Sequence, residues 1–214
     1  MKELKYISID IETTGLDRVE DSILEIGAVV VRRNEHLSDA PIFRAIIQPS
    51  AYALKRIAEN DYVREMHAEL LSEIDREVSK DPTDRDLGGE EPNASFFLAG
   101  SDAQLRAIQC LAGWMSQFSH GDRITAAGKN FAMFDYPFMV EKGPQGLPGV
   151  FRHRVLDPGS MFYTNRDGIP SLSEVLERIP NRIKGRYNLK AHGAVSDALA
   201  VALAVEWHTC GGAV

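Results

Sequence analysis

The chain has 214 residues, of which 44% are hydrophobic and 26% are charged, and its formal net charge is −7. These are the proportions of ordinary globular proteins, so they exclude collagen-like, coiled-coil and wholly disordered chains. The acidic balance does not indicate a nucleic-acid partner, but it does not exclude one, because carboxylates that bind metal ions also count as negative charges.

Two further features concern the compartment. Cys110 and Cys210 fit no disulfide or zinc motif. No run of about 18 apolar residues is present, and the charged start before the first strand does not have the pattern of a signal peptide. We therefore expect a cytoplasmic protein that makes no membrane contact.

The N-terminal part of the chain has the apolar patterns of β-strands. The second run, ILEIGAVVV, is almost continuously apolar, as in a strand that is buried on both faces. Turn residues separate it from the first run, so we expect these two strands to form an antiparallel hairpin. The predicted strands are Leu4–Ile11, Ile23–Val31 and Ile42–Gln48.

Helical spacing dominates the rest of the chain, with short strands between the helices. Capping boxes are predicted at Ser101 with Gln104 and at Ser171 with Glu174. The predicted helices are Asp61–Val78, Ser101 to about Phe118, Ala132–Glu141, a helix after Ser171, and Ala194–His208; the predicted strands are Arg123–Ala127 and Arg154–Asp157. We expect one domain over residues 1–214, in which a mixed five-stranded sheet has helices on both faces. Its acidic segment Lys80–Asn93 is expected to be a mobile insertion.

A pair of acids ends the first strand. Asp10 and Glu12 are two residues apart, so their side chains share one face of the strand, about 6.6 Å apart along it. Two such carboxylates repel each other unless a cation or a proton separates them, and hard oxygen ligands suit Mg²⁺ or Mn²⁺. The alternative is a strand end that only reaches solvent.

Two more acids and a histidine stand in unusual surroundings. Asp135 lies among aromatic residues at a helix start, and Asp197 is the sole charge between Gly193 and Val205. A buried acid needs a partner, although each could instead be an ordinary acid in a first helical turn. His192 precedes the last helix, where we expect it on a loop near Asp197; a structural or merely exposed histidine is the alternative.

These residues form the motifs D-x-E-T-T-G, N-x-x-x-F-D-x-x-F and H-x-x-x-x-D, in that order. The combination resembles the DEDDh group of 3′–5′ exonucleases, the DnaQ-like family, over most of the chain. The resemblance implies a ribonuclease H-like three-layer α/β fold. It also implies that Asp10, Glu12, Asp135 and Asp197 are the metal-binding carboxylates and that His192 is the general base. The sister group has Tyr where this chain has Gly193, so the His variant is favoured.

The resemblance also suggests residues that contact the substrate. It implies that Thr13 and Leu16 line the pocket for the terminal nucleotide. It further suggests that Met66 and His67 contact bases and that Phe134 lies near the scissile end, although core packing is an alternative for the aromatic residues. A basic stretch before His192 contains Arg186 and Lys190, which we expect to hold phosphates unless the stretch is only a solvated loop.

The sequence therefore predicts an exonuclease that cleaves phosphodiester bonds at single-stranded 3′ ends, with DNA favoured over RNA or short oligonucleotides. Two Mg²⁺ or Mn²⁺ ions and a His base would release nucleoside 5′-monophosphates. One alternative is a catalytically idle module that binds nucleic acid or a polymerase. Another is a protein with a structural Ca²⁺ site, but no EF-hand spacing is present. A polymerase or a second copy of the chain is an expected partner.

Overall fold

The computed structural model describes residues 3–80, 92–187, 189 and 192–211. Within these ranges the strands are β1 (Leu4–Thr13), β2 (Ile23–Arg32), β3 (Ile42–Ile47), β4 (Ala94–Leu98) and β5 (Ala126–Ala127). The α-helices are α1 (Ala51–Ala58), α2 (Asp61–Met66), α3 (Ala68–Ser79), α4 (Ala103–Ser119), α5 (Asp135–Lys142), α6 (Pro158–Met161), α7 (Leu172–Glu177), α8 (Asn181–Lys184) and α9 (Ala194–Thr209). Single 3₁₀ turns are present at Leu37–Asp39 and Leu147–Gly149.

The five strands form one mixed sheet in the order β4-β3-β2-β1-β5. The β1–β2 and β2–β3 pairs are antiparallel, whereas β3–β4 and β1–β5 are parallel. The predicted hairpin and the mixed five-stranded sheet are therefore confirmed. Strand β5 pairs only with Ile7 and Ser8, so the β5 side of β1 is free of strand pairing from Ile9 onward.

Helices cover both faces of this sheet. Ile7, Ile9 and Ile11 of β1 belong to a core that includes α4 and α5. Tyr6 belongs to a second core on the opposite face, formed with α9 and α7. Because strand side chains alternate between faces, one strand supplies both cores. The three-layer arrangement of the expected fold class is confirmed.

Two predicted elements differ in the structure. The fifth strand is β4, which pairs with β3, whereas the predicted strand Arg154–Asp157 is reduced to a single bridge between Leu156 and Ala127. Asp157 instead caps the N-terminus of α6 by accepting hydrogen bonds from Gly159 and Ser160.

Several helix boundaries also differ. The helix predicted over Asp61–Val78 is broken at His67 into α2 and α3, and α1 was not predicted. Gln104 does not complete a capping box, because its Oε1 accepts the Ile23 N–H at 2.8 Å. The capping box of Ser171 with Glu174 is confirmed, and α9 differs from its prediction by one residue.

The predicted insertion Lys80–Asn93 falls largely on residues 81–91, which lie outside the described residues. The residues that follow are fixed to the sheet layers. Asn93 accepts the Ile42 N–H at 2.9 Å, and the Pro92 carbonyl accepts the Trp114 indole N–H at 2.9 Å. In the part of the chain that the structure describes, no helix combines the length and the hydropathy that a membrane crossing needs.

Candidate metal and nucleotide site

Three of the four predicted carboxylates converge at the C-terminal end of β1. One carboxylate oxygen each from Asp10, Glu12 and Asp197 lies within 4.8 Å of the others. The first two share a face of β1, as the strand period predicts, and the first turn of α9 brings Asp197 to the same face. Glu12 is buried, with 8% of its surface exposed, whereas Asp10 and Asp197 are half-buried.

Asp135 lies beside this cluster at the first position of α5. Its carboxylate accepts the backbone N–H of Ile11 at 3.0 Å, between the two acids of β1. That N–H lies beyond the end of the β1–β5 pairing, so Asp135 supplies the acceptor that a sheet partner would otherwise provide. Asp135 is 2% exposed, and its charge raises the pKa of Asp10.

The N-terminus of α9 is fixed to β2 by two residues that sequence reasoning missed. Glu25 is 2% exposed, and its Oε2 accepts the Ala194 N–H at 2.9 Å. A Cβ on Gly27 would stand 2.2 Å from the Ala194 carbonyl carbon, so only glycine lets the helix approach this closely. The signal that could have revealed Glu25 is a lone acid inside an otherwise apolar strand, which needs a buried partner.

Arg44 of β3 balances the charge of Glu25. Its Nε donates to Glu25 Oε1, while Nη1 and Nη2 donate to the two carboxylate oxygens of Glu73 at 2.6 and 2.8 Å. Arg44 on β3 therefore links Glu73 on α3 to Glu25 on β2. The Glu25 carboxylate in turn holds the N-terminus of α9. Charged groups buried with several hydrogen-bond partners are held in one geometry, which suits a residue that positions a site.

His192 lies two residues before α9 with its backbone in the left-handed region, at φ 59°. It is exposed and lines a cavity with Asp197 and Leu189. Because both residues line this cavity, the imidazole lies on the same side of the molecule as the Asp197 carboxylate. The structure therefore brings His192 to the edge of the acidic cluster, in the position expected from sequence.

Burial and mutual repulsion shift the titration of the acids upward. Burial, followed by the charges of Asp135 and Asp197, raises the pKa of Asp10 well above its usual range. Burial raises the pKa of Glu12 to about 8, that of Asp135 to about 7 and that of Asp197 to about 6. Such a set is stable when protons or cations separate the charges. Hard oxygen donors at this spacing fit a divalent cation such as Mg²⁺ or Mn²⁺.

His67 is not placed where it could contact a base, because it is only 1% exposed. Its Nε2–H donates to the Thr13 carbonyl at 3.1 Å, and its Nδ1 lies 3.6 Å from Glu12 Oε2. Burial lowers the pKa of His67, so the neutral imidazole is favoured. The predicted base contact of His67 does not agree with this placement, which instead supports the backbone that follows Glu12.

The other predicted nucleotide contacts surround a cavity of about 640 Å³ that includes Glu12. Thr13, Leu16, Met66 and Phe134 line it, together with α1 and α2. Leu16 is 86% exposed, which is unusual for a leucine beside buried acids. Sequence reasoning missed Tyr62, which lines the same cavity and is 72% exposed. The volume lies within the range of small-molecule sites.

Arg186, one of the two predicted phosphate contacts of the basic stretch, is not brought to the cluster. Arg186 lines a different cavity with Glu206 and Cys210, at the C-terminal end of α9. Nine helical residues separate Glu206 from Asp197, which is about 14 Å along the axis. Lys190 lies outside the described residues.

Two comparisons with known proteins give matches over part of this chain. Residues 7–67 match the family model described as Exonuclease. A segment of 77 residues is 39% identical to a protein named oligoribonuclease from Leifsonia xyli subsp. xyli (strain CTCB07), covering 35% of this chain and 36% of that protein. The match thus spans about a third of the length of that curated relative. Both matches support the resemblance to the DnaQ-like 3′–5′ exonucleases.

The family-model match contains only part of the site. Asp10, Glu12 and His67 lie within residues 7–67, whereas Asp135 and Asp197 lie outside them. The latter two acids are associated with the site by their positions in the fold. The family match therefore includes Asp10 and Glu12 of the acidic cluster, whereas only the fold brings Asp197 to them.

Proposed function

We propose that this protein is a metal-dependent 3′–5′ exonuclease that hydrolyses single-stranded nucleic acid and releases nucleoside 5′-monophosphates. The observation that carries the proposal is the convergence of Asp10, Glu12 and Asp197 within 4.8 Å. The cluster adjoins the 640 Å³ cavity, because Glu12 is also one of the residues that line it. A catalytically idle binding module has no evident need for this costly set of buried acids.

In this proposal, Asp10, Glu12, Asp135 and Asp197 hold two divalent cations. When bound, such ions neutralise charge on the phosphoryl oxygens and increase the acidity of a water molecule. The carboxylates would give up their protons on binding, because cations replace protons as the partners of buried acids. Loading is therefore favoured near and above neutral pH, where the acids with raised pKa values lose their protons more readily.

His192 accepts the proton of the attacking water. Its exposed position before α9 leaves the imidazole accessible, and the cavity that it lines together with Asp197 supports this role. A general base of this kind typically contributes a 10²–10⁴-fold effect, roughly, on the rate. The imidazole stays on the solvent side, from which it can lose the proton again.

The cavity holds the 3′-terminal nucleotide. The exposed Leu16 and Tyr62 side chains offer apolar and aromatic surfaces for a base, and stacking of this kind tolerates any base. Thr13, Met66 and Phe134 also line this cavity. Association with a polymerase or a second copy, and a cytoplasmic location, stay predictions.

The test is hydrolysis of 5′-labelled single-stranded DNA and of matched RNA, including dinucleotides. Both sugars are included because the resemblance favours DNA, whereas the similar protein is named for RNA. We expect a ladder shortened from the 3′ end with Mg²⁺ and none with a chelator. Asp10→Asn should be inactive, whereas Asp122→Asn, which changes an exposed acid in a different cavity, should retain activity. Absence of cleavage by the unchanged protein with either metal would overturn the proposal.

A further inference from the structure

Asp21 is buried in the turn between β1 and β2, outside the set of proposed metal ligands. It is only 1% exposed. Its Oδ1 accepts the Thr14 hydroxyl at 3.2 Å, and its Oδ2 accepts the Asp17 N–H at 2.9 Å. A Cβ on Gly15 would lie 2.4 Å from Oδ2, so the carboxylate packs directly on the backbone of the turn. Asp21 therefore fixes the residues on either side of Leu16.

The same carboxylate reaches across to α1. Arg56 Nη2 lies 3.0 Å from Asp21 Oδ1, and the Arg56 side chain is 35% exposed. A second tie joins the same two segments, since the Tyr52 hydroxyl donates to Glu20 Oε2 at 3.1 Å. The Arg56 guanidinium also lies 6.0 Å from the centroid of the Tyr52 ring. The turn and α1 are thus joined by an ion pair whose carboxylate is buried and by one exposed hydrogen bond.

Both joined segments line the 640 Å³ cavity. Leu16 projects from the turn, whereas Tyr62 and Met66 lie on α2, immediately after α1. The spacing between the Leu16 turn and these helices affects which ligand fits in the cavity. An ion pair that sets this spacing acts on the binding of substrate rather than on the acids that perform the chemistry.

We infer that Asp21 and Arg56 form a brace that holds the Leu16 turn against α1 and so sets the affinity of the cavity for the 3′-terminal nucleotide. The inference rests on the proposed function and adds two positioning residues to it. Neither residue is among the proposed metal ligands or the general base. The brace therefore changes KM much more than kcat.

Asparagine cannot replace Asp21 without loss. Both carboxylate oxygens act as acceptors, and the amide nitrogen of Asn would direct a donor at one of the existing donors. Asp21→Asn therefore loses either the hydrogen bond from the Asp17 N–H in the turn or the interaction with Arg56.

The experiment is a double-mutant cycle with Asp21→Asn, Arg56→Gln and the double variant, measured on a 5′-labelled single-stranded trinucleotide with Mg²⁺. For each single variant we expect KM to rise about 10-fold and kcat to change by less than about threefold. The double variant should also show a rise of about 10-fold rather than about 100-fold, because both substitutions remove one interaction. Arg56→Lys should restore part of the loss.

Glu206→Gln is the matched control. Glu206 pairs with Lys5 at 2.6 Å and accepts the Tyr6 hydroxyl at 3.0 Å, at the other end of β1. This variant should lose stability without a change in KM. The contrast separates a specific effect on the cavity from a general loss of packing.

The outcomes are distinct. If the unchanged protein cleaves nothing, the proposed function and this inference both fail. If it is active and KM is unchanged in Asp21→Asn, or if the effects of the two substitutions are additive, the proposed brace is wrong. If Asp21→Asn does not fold, the test is the comparison of Arg56→Gln with Arg56→Lys. If KM in both of these variants equals that of the wild type, the inference is overturned.

Discussion

Gly27 provides a sharp test of how α9 is positioned. Gly27 lies opposite Asp10 in the β1–β2 register, and a Cβ there would stand 2.2 Å from both the Ala194 carbonyl carbon and the Val195 nitrogen. In Gly27→Ala, α9 must move by about 1.2 Å to restore an ordinary contact near 3.4 Å. Overpacking of this kind costs about 1–3 kcal/mol. A displacement of about 1 Å at a catalytic group can cost about 10²-fold in rate, and α9 carries Asp197.

The assay is the rate of oligonucleotide hydrolysis, measured beside thermal unfolding. Gly113→Ala is the matched control, because Gly113 lies within α4 and its added Cβ meets no atom within 4 Å. That control should gain about 0.5–1 kcal/mol of stability from the better helix former and keep its activity. A Gly27→Ala protein as active and as stable as the wild type would refute the role assigned to this contact.

Three further predictions concern the acids and the base. Chelation should abolish hydrolysis and Asp10→Ala should leave almost none, as checked by the rate with and without added Mg²⁺. His192→Ala should retain a small residual rate, about 10²–10⁴-fold below wild type, in the same assay. The third is a pH effect in metal-free protein: burial raises the pKa of Asp197 from 3.8 to about 6, so the folded state binds this proton more tightly than the unfolded chain does. Stability is therefore lost as the pH rises from about 4 through 6, by up to about 3 kcal/mol. Urea unfolding of Asp197→Asn with a chelator should show a smaller loss between pH 5 and pH 8 than the wild type; an equal loss would contradict the assigned cause.

Local patterns predicted those parts of the fold that local interactions determine. The hairpin of β1 and β2 follows from two apolar runs joined by turn residues, and it is present with the expected pairing. The capping box at Ser171 needs only residues within one helical turn. The face shared by Asp10 and Glu12 follows from the strand period alone.

The elements that were predicted wrongly depend on partners distant in sequence. Strand β4 is short and exists through parallel pairing with β3, whereas Leu156 finds only one bridge to Ala127. Gln104 has the spacing of a capping residue, but the Ile23 N–H from the hairpin takes its oxygen. A tertiary acceptor or donor of this kind cannot be read from spacing within one segment.

The same distinction between local patterns and contacts distant in sequence applies to the candidate site. Asp135 and Asp197 are conspicuous in the sequence because acids are costly in apolar surroundings, whereas the role predicted for His192 follows from the resemblance to the exonuclease motifs. The residues that support them could not be predicted, because Glu25 and Gly27 matter only once α9 is known to lie on β2. His67 was assigned a contact with bases, but burial turns its imidazole toward the Thr13 carbonyl.

The most direct test of the metal site is anomalous X-ray diffraction from crystals soaked with Mn²⁺ and a nucleoside 5′-monophosphate. Two peaks about 3.5–4 Å apart are expected among the carboxylates of Asp10, Glu12, Asp135 and Asp197. The nucleotide base should lie beside Leu16 in the adjacent cavity. Crystals with no Mn²⁺ peak at these carboxylates, or with peaks only elsewhere on the surface, would contradict the assignment of the acids as metal ligands.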